Sequence, residues 1–169
     1  MTEENWNVRN YHEEKHQLSD CWELWVDEMS GSFSSSELNA KSIAIFQSVE
    51  DFWSVYLSMS SLQVMPKGVD VYLLKSGNTP NNGQKIILSF SEKVKSEWDI
   101  IYQQIVLWCI GSTISYYTSL VGISYSVGSS LKISIWYSES NKTMLNEVVR
   151  DINLIPNMVE HTTRISMKN

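Results

Sequence analysis

Residues 45–56 read Ile45-Phe46-Gln47-Ser48-Val49-Glu50-Asp51-Phe52-Trp53-Ser54-Val55-Tyr56. Ser48 is a residue that caps a helix, because its hydroxyl can accept from an amide that the first turn leaves free. Glu50 and Asp51 follow, and their negative charge suits the positive end of the helix dipole. Phe52, Val55, Tyr56 and Met59 then recur at helical spacing, so a helix starts at Ser48 and buries that stripe. Val49 and Trp53 lie one turn apart on a single face. Two readings of Trp53 stand side by side. It packs into the core, or it projects away from the sheet as an anchor for a partner, since tryptophan is enriched among interface residues that dominate binding.

Upstream, Cys21-Trp22-Glu23-Leu24-Trp25-Val26-Asp27 alternates, with Trp22, Leu24 and Val26 on one face. That is the pattern of a half-buried strand. A serine-rich loop at 30–36 follows, interrupted by Phe33. Downstream, Pro66 and Gly68 close a connection. Strands are expected over 71–75, 85–90, 122–127 and 131–137, with a last one near 158–165. Trp98, Ile101, Tyr102, Ile105 and Cys109 predict an amphipathic helix over about 94–110. Met144, Leu145, Val148, Val149 and Ile152 predict a third, capped by Asn141. Neighbouring strands mixed with three amphipathic helices point to an α+β fold, with helices on one face of a mostly antiparallel sheet.

The bulk properties narrow the function. A chain of 169 residues fits one domain, and seven tryptophans supply a large core. Net charge is -6, which excludes binding of nucleic acid by general phosphate neutralisation. Any contact with RNA must be a small local site. Residues 1–15 are polar and read as a flexible tail without a signal sequence. No stretch approaches the roughly 20 apolar residues of a membrane span, so cytoplasm is the expected compartment. Cys21 and Cys109 lack metal-ligand spacing; arithmetic alone allows a disulfide, and buried free thiols are the favoured reading, because nothing marks the chain as secreted. His12 and His16 are four apart, but further ligands are missing, so no metal or cofactor is expected. No nucleophile–base pair and no glycine-rich phosphate loop stand out, and a non-catalytic protein is expected.

The most informative strand is Leu131-Lys132-Ile133-Ser134-Ile135-Trp136-Tyr137. Lys132, Ser134 and Trp136 share the face opposite the apolar residues. At a rise of about 3.3 Å per residue, Lys132 and Trp136 stand about 13 Å apart. A cation and a large aromatic on an open sheet face suit the phosphate and the base of a nucleotide. A snorkelling lysine beside an edge-packed tryptophan gives the same pattern.

Taken in order, these segments resemble the eukaryotic initiation factor 4E family. His16-Gln17-Leu18 and Cys21-Trp22-Glu23-Leu24-Trp25 are similar to its opening strand, and residues 45–56 resemble its signature helix almost residue for residue. Met65-Pro66, Tyr72-Leu73-Leu74-Lys75, Cys109-Ile110-Gly111 and Lys132-Ile133-Ser134-Ile135-Trp136 extend the likeness over about 16–160. The resemblance implies a curved antiparallel sheet with three helices on its convex face, filling 16–169, in a monomer. It implies binding of the 7-methylguanosine cap of mRNA, whose cationic base is held between aromatic faces. It also implies recruitment of a 4G-type scaffold or a 4E-binding protein helix. Carried over, Lys132 matches the phosphate lysine, Trp136 the tryptophan at the methyl group, and Phe33 the first stacking residue. His16, Val49, Trp53, Leu107 and Ile110 match the partner surface. The second stacking tryptophan, its glutamate and the phosphate arginine have no counterparts, so an altered cap pocket is expected. The alternative is an interaction module that keeps the partner surface without the cap.

Overall fold

The structure is a computed structural model and describes residues 14–28, 40–80, 83–139, 141–156, 158 and 162–168. Seven strands form one sheet: β1 (Gln17–Glu28), β2 (Lys41–Ser48), β3 (Val69–Lys75), β4 (Gln84–Ser91), β5 (Leu120–Val127), β6 (Ser130–Tyr137) and β7 (Thr162–Lys168). Their order across the sheet is β2-β1-β3-β5-β6-β4-β7, and every neighbouring pair is antiparallel. Three helices, α1 (Val49–Ser58), α2 (Trp98–Ile110) and α3 (Lys142–Ile152), cover the convex face. The expected α+β architecture is the observed one.

Period-two alternation builds the core. Ile86, Leu88 and Phe90 of β4 and Ile133 and Ile135 of β6 are fully buried on the helix side. Ser48 caps α1 as read from the sequence. Its Oγ accepts from the Asp51 amide at 3.1 Å and donates to Asp51 Oδ2 at 2.7 Å. A cap of this kind contributes about 1 kcal/mol. Phe52 packs against Phe46 with ring centroids 5.7 Å apart. Tyr56 stacks on Tyr102 at 6.3 Å, joining α1 to α2, and Tyr102 meets Tyr125 of the sheet edge-on at 4.7 Å. On α3, Met144, Val148 and Ile152 are four apart and buried, while Asn141 Oδ1 accepts from the Met144 amide at 2.9 Å.

The structure departs from the sequence reading in four places. β2 forms where no strand was expected, and it delivers the chain directly into the Ser48 cap. The helix expected from 94 begins as a 3-10 turn, Glu92–Glu97, and becomes α2 only at Trp98. Val94 at φ -107°, ψ 26° breaks the helical path there. The last strand begins at Thr162, and Met158 is a buried core residue outside it. Cys21 is only half-buried, whereas Cys109 is fully buried, and both are free thiols. Burial raises the Cys109 thiol well above its ordinary range, against a smaller opposing pull from the Lys75 charge.

Candidate functional site

The open face of the sheet carries the residues that point away from the helices. Cross-strand register sorts them into rows, because directly paired residues share a face. One row pairs Lys85 of β4 with Trp136 of β6, Trp136 with Gly122 of β5, Gly122 with Leu74 of β3, and Leu74 with Glu23 of β1. The next runs through Ile87, Ser134, Ser124, Tyr72 and Trp25. The third runs Arg164, Ser89, Lys132, Ser126, Asp70 and Asp27.

Tyr72, Leu74 and Trp136 of the first two rows, joined by Val121 of β5, make a second, smaller apolar cluster, with Trp25 packed at its side. Trp136 is 6% exposed and is the floor of this face. Its indole N–H donates to Ser124 Oγ at 2.8 Å. Its ring lies 6.4 Å from Tyr72, and the Lys85 ammonium sits over it, 4.5 Å from the ring centre. Gly122 is what allows β3 so close. A side chain there would place its first carbon 2.4 Å from the Leu73 carbonyl oxygen and 2.7 Å from Leu74 Cα. Burial pushes the Tyr72 hydroxyl up to about 12, with the nearby charges of Asp70 and Asp27 adding to the shift. The face is therefore polarised, with Lys85, Lys132 and Arg164 on the β6–β4–β7 side and Asp70, Asp27 and Glu23 on the β3–β1 side.

Lys132 and Trp136 thus share the open face, as their spacing predicted, with Lys132 exposed and Trp136 nearly covered. Phe33, the expected stacking residue, lies outside the described residues. The sequence reading missed Ser124, Tyr72, Trp25 and Lys85. The alternation of β1 already placed Trp25 opposite Trp22. The others come from strands whose pairing a single sequence does not reveal.

On the convex side, β1 and α1 meet at their beginnings. The Val49 amide donates to the His16 carbonyl at 2.8 Å. Glu50 accepts from the His16 amide at 3.0 Å and from the imidazole Nδ1 at 2.6 Å. The hydrogen bond and charge of Glu50 raise the imidazole above its ordinary 6.5. Val49 is 36% exposed, and Leu107 on α2 is 37% exposed. Trp53 is half-buried and packs on Phe52 at 5.1 Å and edge-on to Tyr56 at 5.6 Å. Trp53 therefore takes an intermediate position between the two readings of it, with one flank in the core. Ile110 is 4% exposed and belongs to the core, three residues along α2 from Leu107.

Among the described residues no cluster of three or more His, Cys, Asp and Glu could hold a metal ion. His12 and His161 lie outside them. No helix among these residues is long and apolar enough to cross a membrane.

A family profile described as Eukaryotic initiation factor 4E matches residues 17–167. Eukaryotic translation initiation factor 4E1 of Drosophila melanogaster is 29% identical over 142 residues, 79% of this chain and 54% of that protein. Eukaryotic translation initiation factor 4E of Homo sapiens is 30% identical over 149 residues, 82% of this chain and 68% of that protein. The chain thus spans little more than half the length of the Drosophila relative. Among solved structures, a schistosome eIF4E complexed with m7GpppG and 4E-BP superposes with a TM-score of 0.78 at 21% identity. That alignment covers 92% of this chain and 88% of the other. At such identity the superposition speaks for the fold.

Proposed function

The chain belongs to the eukaryotic initiation factor 4E family, and from that premise we propose that it binds the 7-methylguanosine cap of mRNA on the open sheet face. In the same reading it recruits a 4G-type scaffold through the convex face, acting in translation initiation in the cytoplasm as a non-catalytic protein. The observation that carries the cap assignment is the Trp136 floor. A large aromatic is fixed by its hydrogen bond to Ser124 and its tilted contact with Tyr72, with Lys132 two residues beyond Ser134 on the same strand. Aromatic surface suits a cationic methylated base, and Lys132 suits the phosphates that follow it. Phe33, outside the described residues, is the proposed stacking residue. For the scaffold, His16, Val49, Trp53 and Leu107 offer the convex contacts. Ile110, buried three residues along α2 from Leu107, completes the proposed set. An amphipathic helix laid across α1 and α2 is the fitting partner.

A second reading has its own support. No tryptophan or glutamate occurs between Ser76 and Ser91 to close the pocket, and Lys85 already places a positive charge over Trp136. Both favour an interaction module that keeps 4G-type partners and regulates translation without holding the cap. Retention on immobilised 7-methylguanosine triphosphate, with competition by unmethylated nucleotide, separates the two. Retention that only methylated nucleotide reverses supports cap binding. Lack of retention by folded protein leaves the second reading.

A further inference from the structure

Lys132 and Arg164 stand on the same open face, two strands apart, with Ser89 between them. Ser89 pairs with Lys132 on one side and with Arg164 on the other. Strands lie about 4.8 Å apart, so the two backbones are separated by about 10 Å. Both basic side chains are exposed. The ion pairs among the described residues are Lys15–Asp51, His16–Glu50, Lys75–Asp20 and Arg150–Asp151, and neither Lys132 nor Arg164 belongs to one. In a chain of net charge -6, with 19 acidic residues against 13 basic, two exposed cations on one row, in no ion pair among the described residues, offer a local site for an outside anion.

The same row gives this site a direction. Beyond Lys132 on the other side come Ser126, Asp70 and Asp27. A polyanion crossing the face meets repulsion toward β3 and β1 and attraction toward β4 and β7. We infer that Lys132 and Arg164, on either side of Ser89, form a track for the RNA backbone beyond the cap, with Arg164 contacting a phosphate that the cap nucleotide itself does not carry. This rests on the cap reading above. It adds a route for the transcript, out over the β7 edge, and a basic contact on a strand distant in sequence from Lys132.

The test uses the whole chain as parent, Arg164→Ala and Arg164→Lys. Each is titrated with 7-methylguanosine triphosphate and with a capped trinucleotide at several salt concentrations. Arg164→Ala is expected to weaken the trinucleotide about five- to tenfold, to leave the cap nucleotide within about twofold, and to lower the salt slope by roughly 0.7, the value for one phosphate on a single strand. Arg164→Lys is expected to keep most of the affinity, because the charge stays. An unchanged trinucleotide affinity, or equal losses on both ligands, overturns the track. If the parent does not bind the cap nucleotide, the cap reading fails on its own. The track is then judged with uncapped 5′-triphosphate RNA: weaker binding by Arg164→Ala sustains it, and equal binding by parent and variant overturns it.

Discussion

Ser124 holds Trp136 by a single buried hydrogen bond, Nε1–H to Oγ at 2.8 Å, between two strands whose sequence positions are 12 apart. Removing the hydroxyl leaves an indole N–H buried without a partner. Ser124→Ala is expected to cost about 1–3 kcal/mol of folding stability. Urea unfolding should show a lower midpoint with an unchanged slope. An unshifted midpoint would mean that the indole finds another acceptor.

Trp53 has one flank against Phe52 and Tyr56 and the other free. Trp53→Ala should therefore lose on two accounts. Folding should weaken by about 1–2 kcal/mol, short of the 3–5 of a fully buried aromatic. Binding of a Tyr-x-x-x-x-Leu-Φ peptide should weaken by about 2 kcal/mol or more. A thermal melt and a peptide titration on the same variant read both. Normal peptide affinity in the variant would remove Trp53 from the partner surface.

His16 and Glu50 make a pH-sensitive clasp at the start of α1. Glu50 raises the imidazole above 6.5, and His16 in turn lowers Glu50 below its ordinary 4.5. The folded state thus favours the charged imidazole. Its contribution is complete below about pH 6.5 and fades as pH rises through the raised value. On the acid side it fades as pH falls through the lowered value of Glu50. An NMR titration of His16 should show a midpoint above 6.5 that returns toward 6.5 in Glu50→Gln. Coincident titrations in the two proteins would show that the clasp does not form in solution.

Lys132 should distinguish phosphates from base. Lys132→Ala is expected to cost about 1.5 kcal/mol with 7-methylguanosine triphosphate, the low end for a charge-assisted bond at an exposed site. The loss with the bare methylated nucleoside should be negligible. Equal losses on both ligands would place Lys132 away from the phosphates.

What the sequence revealed depended on whether burial followed hydrophobicity. At Ser48 and at Asn141 the cap residue, the acidic or polar first turn and the apolar stripe agree, and both helices start where they were read. β2 inverts the usual code. Its buried positions include Phe46 and Ser48, while Ile43 and Ile45 are 59% and 62% exposed. Alternation read by hydropathy therefore puts the wrong face inward. α2 hid its start because Val94 belongs to the apolar pattern yet sits at the kink. On the open face, Lys132 and Trp136 were legible because they share one strand. Ser124, Lys85, Tyr72 and Arg164 reach them only through pairings between distant segments, for which one sequence carries no signal.

The position of β7 has a consequence for how the molecule is made. It pairs with β4 from Phe90↔Thr162 to Lys85↔Lys168, across the segment that contains α2, β5, β6 and α3. During synthesis β4 must wait for all of that intervening chain before its outer edge is satisfied. Until then a strand with Ile86, Leu88 and Phe90 along it offers open amides and carbonyls, the template on which nascent chains aggregate. The other face of that strand carries Lys85 and Ser89. A lysine on an exposed strand edge is a guard against wrong pairing, so the strand that borders the proposed RNA track also carries a safeguard for the growing polypeptide.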